Sequence, residues 1–523
     1  MQSFFDWFKQ ENFPDDLTGL ILGKGPSFSK RRNFDISKYL TMSLNHAVRE
    51  QPVKLAHIID LDVIDHLGGI LETNAEFVVM PWHPHVSNDP GQANLEDIVN
   101  CHSILQRLDK ANRLLWYNLG SAKAREGYPV IQARFFSAEA AINLLAKAGV
   151  KTIRSLGIDG GSTYSSAFDD LKDKTLLANG RQNFDAQFQE IAMTILRTGI
   201  DYAPLDAESP IRVFVAATEA QMLAVKVLEF SIRKHTSMSV VVTPIHRAGL
   251  DIPLPRDPKN QPRTPFSFQR FLIPQLMNWK GRAIYLDSDM QVFRDMRHLW
   301  SYPMNGAQIL AAREPGISKR RPQFSVMMLD CAALDWNIAD IVKALDGNRL
   351  TYEQLMWKME VADRIRADIE PSWNSLERYD EKITCLLHYT DMNTQPWVSL
   401  KNGLGHLWMR DLFEAIDAGF ITREYVEEHV RQSWVRPSLL YQIDRRFEDT
   451  VLLPKLARNI DKEFIAPYCT LPQNPSSPWQ NPLASGRALF RRFGSSKIKM
   501  KIGRSIAARL PRALVRAISA RRH

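Results

Sequence analysis

Two carboxylates sit where an apolar strand should finish. In AIYLDSDMQVF, Ala283 to Phe293, four apolar residues run into Asp287-Ser288-Asp289, and the chain then turns apolar again. Residues i and i+2 of an extended chain point to the same side, so Asp287 and Asp289 can face one point together. In open α/β sheets that point, beyond the carboxyl end of a strand, is where ligands bind. Two carboxylates there repel each other unless a cation lies between them, and hard oxygen ligands select Mg²⁺ or Mn²⁺. Such an ion commonly bridges to a diphosphate. Asp-Ser-Asp is also good turn chemistry; the apolar AIYL before it and MQVF after it favour the strand-end reading.

Other stretches carry chemistry too. LILGKGPSF, Leu20 to Phe28, is a strand followed by Gly-x-Gly, a pattern that lets backbone N–H groups approach a phosphate. The third glycine of the dinucleotide fingerprint is missing, and a tight strand-to-loop turn explains the pair equally. WHPHV places His83 and His85 around a proline with no third ligand nearby, which reads as a loop. The tail KIGRSIAARLPRALVRAISARR has Ile502, Ile506, Leu510, Leu514 and Ile518 every fourth residue, an apolar stripe flanked by arginines and interrupted at Pro511. That pattern suits an anionic membrane surface, a disordered basic tail or a helix packed on an acidic patch.

The elements that must position these residues alternate. Up to about residue 205, strands are expected at LTGLIL, KYLTMSL, VKLAHII, AEFVVMPW, NRLLWYNL and VKTIRSLGI, with SAEAAINLLAKA a helix. Strands alternating with helices imply a parallel sheet covered on both faces. A second α/β region starts at IRVFVAAT, continues through the helix AQMLAVKVLEFSIRKH and the strand MSVVVTPIH, and closes near residue 445. The expected division is 1–208, 209–445, and a linker with basic tail over 446–523. The 523 residues provide ample core for two domains.

Charge and composition exclude several classes. The net charge is +9, but the segment Arg487–His523 holds twelve Lys/Arg and no Asp/Glu, leaving 9 − 12 = −3 for the rest. A near-neutral body argues against a nucleic-acid-binding core. No basic start followed by an apolar run opens the chain, and no stretch approaches the roughly 18 apolar residues of a membrane helix. Cys101, Cys331, Cys385 and Cys469 are far apart without metal-type pairing, so the cytosol is the expected compartment.

From about Ile211 to Trp397 the chain resembles family 8 of the retaining glycosyltransferases, which use the GT-A nucleotide-sugar fold. YLDSDMQVF resembles that family's metal-binding Asp-x-Asp strand end. FSFQRFLIPQL resembles the segment upstream, where Arg270 matches an arginine approaching the donor diphosphate. LLHYTDMNTQPW resembles the late His-aromatic…Pro-Trp motif, with His388 on the third metal ligand. YEQLMW stands where the family has an Asp-Gln pair at the sugar face, so Glu353 would position sugar hydroxyls and Gln354 would sit by the reacting face. Ala216, Ala217, Thr218, Ser288 and Gln323 would border the nucleotide sugar. The chain departs from the family at AATEAQML, with Thr218 at the first acidic position and Gln221 near the aromatic one. It departs again at PQFSVMML, with Gln323 for Asn and Ser325 for Gly, and at Gln395, where a lysine normally contacts the diphosphate. In the first half, GKGPS, SLNHA, AHIIDLD and LGIDGGSTY resemble a Rossmann-like domain shared by bacterial sialyltransferase-like enzymes and motility-associated proteins. That resemblance places Gly23, Gly25, Ser27 and Asn45 beside a nucleotide and ends strands at Asp60 and Asp159; the sialyltransferases' later histidine is missing.

The resemblances imply a cytoplasmic two-domain enzyme, peripheral at the inner face of the membrane through its tail. It would use Mn²⁺ or Mg²⁺ on Asp287, Asp289 and His388 to transfer a sugar, with retention, from a uridine-linked donor to a surface polysaccharide or glycolipid. The rivals are a non-catalytic nucleotide-binding scaffold and an enzyme whose activity lies in the first domain.

Overall fold

A chain whose strands read as near-continuous apolar runs must bury both faces of its sheet. The computed structural model describes residues 1–313, 324–449 and 452–467, and within them the fold is mixed α/β. It divides into two compact units. The first holds Met1–Val213 with Ile232–Val241 and Arg294–Pro303; the second holds Phe214–Ser231, Val242–Phe293 and the chain from Met304 onward.

The first unit is built on a parallel sheet. Its strands lie in the order Gln2–Ser3, Leu114–Leu119, Ala75–Pro81, Val53–His57, Leu40–Leu44, Thr18–Leu22, Thr152–Leu156, Asp201–Pro204, with Val130–Ile131 beside Leu114–Leu119. Alternation along Leu20-Ile21-Leu22 sends Ile21 into one core, with Phe4, Met42 and Leu145, and Leu20 and Leu22 into the other, with Phe28, Ala56 and Trp116. The helix Ser137–Ala148 covers one face and stops at Gly149, whose φ of +102° ends it as glycine readily does. Successive strands step outward from Thr18–Leu22 on one side, and the chain returns on the other at Thr152–Leu156. The two strands flanking this reversal end in glycine turns that touch backbone to backbone. Gly23 N donates to Leu156 O at 2.8 Å and Gly25 N to Gly157 O at 2.9 Å. Crevices at such reversals are where open α/β sheets take ligands.

The second sheet runs Val240–Pro244, Ile211–Ala216, Arg282–Asp287, Val326–Asp330, Ile309–Ala312, Ile365–Ile369. Arg282–Asp287 and Val326–Asp330 are antiparallel, so this sheet is mixed where the first is parallel. A small sheet of Met290–Val292, Leu386–His388 and Ser375–Leu376 continues from the end of the Asp287 strand. Helices Gly405–Asp417, Arg423–Arg431 and Ser438–Arg445 follow. No helix among the described residues is long and apolar enough to cross a membrane. The basic tail lies outside the described residues.

Candidate active site

Strand register assembles the site. The strand Arg282–Asp287 delivers Asp287 at its end, the chain turns through Ser288 and Asp289, and Met290 then pairs antiparallel with His388. That register, together with the hydrogen bond from Tyr389 N to Asp289 O at 2.8 Å, sets His388 beside the carboxylates. His388 Nε2 lies 3.1 Å from Asp289 Oδ1 and 4.0 Å from Asp287 Oδ2. One ligand atom from each of the three residues falls within 4.8 Å of the others.

The donor set fits a hard divalent cation. His388 Nδ1 faces Asn374 Oδ1 at 3.0 Å; an amide oxygen only accepts, so Nδ1 carries the hydrogen and the neutral ring offers a bare lone pair at Nε2. That lone pair faces Asp289 Oδ1, which is buried and without a hydrogen-bond partner. Facing acceptors repel unless positive charge lies between them. Burial alone would lower the pKa of His388, but Asp289, Asp287 and Glu377 outweigh it and raise the pKa above the ordinary value. The pocket therefore favours a proton or a cation, and two carboxylates with one imidazole suit Mn²⁺ or Mg²⁺. Asn374 orients the imidazole as outer partners of metal-binding histidines do.

Asp287 is held from two sides. Tyr285 OH donates to its Oδ1 at 2.5 Å, and Arg270 Nη2 lies 3.7 Å from the same oxygen. Burial pushes the Tyr285 hydroxyl well above its usual pKa, so it remains a donor. Arg270 stacks over the Tyr285 ring at 4.4 Å and donates Nη1 to Phe324 O at 2.8 Å, while its buried Nε has no partner. A guanidinium with a spare N–H beside two acids is suited to an anionic ligand bridging to them.

Ala216 and Ala217 are buried at the end of the strand Ile211–Ala216, and Gln269 clamps Ala217 by its N (2.9 Å) and O (2.8 Å). Thr218 and Gln221 form a capping box. Ser288 is buried, with Oγ unpartnered. Gln354 closes a capping box on the helix Tyr352–Met356, its Oε1 accepting from Thr351 N at 2.9 Å; Glu353 is exposed on the same helix. Gln323 lies outside the described residues. Gln395, read from sequence as a lost diphosphate contact, is buried and donates Nε2 to Asp289 Oδ2 at 2.8 Å.

In the first unit, Ser27 locks the glycine turns: its Oγ accepts from Gly157 N at 2.7 Å and its N donates to Asp159 Oδ2 at 2.7 Å. A Cβ on Gly23 would stand 2.3 Å from Gly157 O, so close backbone approach requires glycine there, and one on Gly25 would stand 2.6 Å from Asp159 Oδ2 and 3.0 Å from Gly157 O, a tight fit. Asn45, at φ +50°, donates to Ser137 Oγ at 3.3 Å and leaves its buried Oδ1 unpaired. Asp60 Oδ1 accepts from Asn88 N. Lys24, between the glycines, donates to Thr175 Oγ1 at 3.2 Å and is lowered to about 8 by burial and by Arg49. His83 contacts the Ala93 carbonyl, and neither it nor His85 joins a three-ligand group among the described residues.

Sequence reasoning passed over Tyr285 and Asn374. Tyr285 carried a signal, since it lies two residues before Asp287 and therefore on the same side of the strand. Asn374 carried none, because only the pairing of Ser375–Leu376 with Leu387–His388 brings it alongside His388.

Residues 217–337 match the model of the family described as Glycosyl transferase family 8, in agreement with the sequence resemblance. Protein CDI of Arabidopsis thaliana is 34% identical over 94 residues, 18% of this chain and 36% of that protein, so the chain spans about a third of that curated relative. Among solved structures, the glycosyltransferase GlyE of Streptococcus pneumoniae TIGR4 aligns with TM-score 0.30 at 18% identity, over 42% of this chain and 64% of its own. A galactosyltransferase, LgtC, aligns with TM-score 0.28 at 12% identity, over 40% of this chain and 96% of its own.

Proposed function

We infer that the second unit is a metal-dependent glycosyltransferase acting on a nucleotide-sugar donor, uridine-linked, with retention at the anomeric carbon and a surface glycan or glycolipid as acceptor. The convergence of Asp287, Asp289 and His388 carries the reading, and the family match over 217–337 supports it. Bound there, Mn²⁺ or Mg²⁺ supplies Lewis-acid charge against the departing diphosphate. The chain's own residues do the rest. Arg270, with its unpaired Nε, adds positive charge on the diphosphate side. Ala216, Ala217, Thr218 and Ser288 border the nucleotide sugar. Gln354, whose Oε1 is committed to the cap, offers Nε2 to the reacting face, and Glu353 orients sugar hydroxyls.

Purified protein should release free sugar or nucleoside diphosphate from uridine-linked donors with Mn²⁺, and lose this with excess chelator. Equal turnover in chelator would end the metal mechanism. Preference for cytidine or guanosine donors would end the uridine assignment.

The first unit is read as a nucleotide-binding domain using Gly23, Gly25, Ser27 and Asn45, the region 209–445 as the catalytic domain, and the tail from Arg487 as a contact with anionic membrane at the cytoplasmic face. Co-sedimentation of the full chain with anionic vesicles, against a chain ending at Ser485, tests the last; equal sedimentation would remove it.

A further inference from the structure

Behind the carboxylate pair, a run of buried hydrogen bonds leads away through the second unit. Gln395 divides its amide between two acceptors, Asp289 Oδ2 at 2.8 Å and Tyr389 O at 3.0 Å. Its two N–H groups are thus both committed, and Asp289 is held with Oδ2 on the glutamine and Oδ1 toward His388. The Gln395 backbone sits in a tight turn: its N donates to Asp391 O at 3.1 Å, and its O accepts from Val398 N at 3.0 Å and Ser399 N at 2.9 Å.

The next two residues are gripped from elsewhere. Arg436 donates Nε to Pro396 O at 2.8 Å and its backbone N to Trp397 O at 2.9 Å. The rest of its guanidinium reaches Ser438 Oγ at 2.5 Å, Gln442 Oε1 at 2.5 Å and Met409 Sδ at 3.8 Å. Ser438 is fixed in turn by Asp461, through Oγ to Oδ2 at 2.5 Å and N to Oδ1 at 2.8 Å. Arg436 has no exposed surface, and among the described residues its guanidinium hydrogen-bonds to no carboxylate. Burying a guanidinium against neutral acceptors is costly, and an apolar side chain of similar volume would fill the space more cheaply. What an apolar side chain could not do is hold the Pro396 carbonyl.

We propose that Arg436 is a positioning residue for the cation site, acting through the Pro396–Trp397 backbone and Gln395 on Asp289, so that the helices Ser438–Arg445 and Lys455–Ile460 form part of that site's support. The inference rests on the reading of Asp287, Asp289 and His388 as cation ligands. Gln395 here does a different task from a cation on the diphosphate: a neutral donor orients the carboxylate without cancelling its charge. Partners behind metal ligands, when removed, typically weaken metal binding by about 10- to 100-fold.

The test uses the full chain and Mn²⁺ alone, with affinity read from the electron paramagnetic resonance of free Mn²⁺ and folding read from the thermal midpoint. Gln395→Leu keeps most of the volume and removes the donor; Mn²⁺ affinity should fall about 10- to 100-fold. Arg436→Met should fall in the same direction, and Arg436→Lys, which can still reach a carbonyl, should fall less. Because Arg436 acts through Gln395, the Gln395→Leu/Arg436→Met double variant should bind no more weakly than the worse single variant. A role in folding alone would lower the midpoint while leaving affinity within about twofold of the parent, and that result overturns the proposal. Should Arg436→Met fail to fold, Gln395→Leu and Arg436→Lys decide by the same criterion. If the parent chain itself does not bind Mn²⁺, the cation reading falls and this inference with it. If the parent binds Mn²⁺ and the variants match it, only the positioning role falls.

Discussion

At the scale of single residues, the site is a problem of like charges. Asp287 and Asp289 share a point with a histidine lone pair, and Arg270 and Tyr285 lean on one carboxylate while Gln395 leans on the other. Relief comes from positive charge, so a ligand cation should stabilise the folded protein. Mn²⁺ at 100 times its dissociation constant should add about 2.7 kcal/mol to the unfolding free energy of the second unit. Asp289→Asn should remove most of that gain while leaving the ion-free protein at least as stable, since one repelling charge is gone. Thermal scans of both proteins with and without Mn²⁺ measure this; an unchanged shift in Asp289→Asn would place the ion elsewhere.

At the scale of elements, local chemistry and site chemistry overlap. The helix Tyr352–Met356 has only five residues and needs its Thr351–Gln354 capping box. Gln354 thus has a structural task through Oε1 and a free amide nitrogen for any sugar contact. Gln354→Glu separates the two: a carboxylate still accepts from Thr351 N, as capping-box glutamates do, but it donates nothing. Stability should stay within about 0.5 kcal/mol of the parent while donor turnover falls at least tenfold. Unchanged turnover would confine Gln354 to the cap. Thr351→Ala should show the converse, a stability loss of about 1 kcal/mol from the missing cap.

At the scale of the whole molecule, buried titratable groups set how the protein meets acid. In the first unit, burial lowers His46 and His57 to about 3 and His235 to about 4, so these imidazoles are neutral in the fold. His57 is tied to Tyr117 OH at 2.8 Å. An unfolded chain protonates each near 6.5, so stability is lost as pH falls below that value. Glu139 opposes them: burial raises it to about 7, the fold keeps its proton longer than the unfolded chain does, and stability is gained as pH falls from about 7 toward 4.5. His85, also lowered by burial, adds to the loss and Asp60, raised by burial, opposes it, so histidines outnumber acids four to two and stability falls between about 6.5 and 5, each group contributing at most about 1.4 kcal/mol per pH unit. Urea unfolding at pH 7, 6 and 5 should show the midpoint dropping. A midpoint that holds or rises would mean that these histidines are solvated in the fold. The two units also interleave along the chain, Ile232–Val241 and Arg294–Pro303 belonging with the first, so a simple cut near Ser209 would part these segments from it.

What the sequence alone determined is what local pattern can encode. Apolar runs and glycine turns announced the strands of the first unit, and period-2 alternation put Asp287 and Asp289 on one side of a strand end. These signals survive because each is written within a few neighbouring residues. The motif order pointed to His388, but its place beside Asp289 was decided by the register of Met290 against His388, a pairing between distant segments. Asn374 behind the imidazole, Gln395 on Asp289 rather than on a phosphate, and Arg436 gripping the Pro396 carbonyl have no local signature at all. The same holds for the return of residues 232–241 and 294–303 to the first unit. A buried hydrogen bond is chosen by which groups desolvation leaves facing one another, and that is settled only when the whole chain has packed.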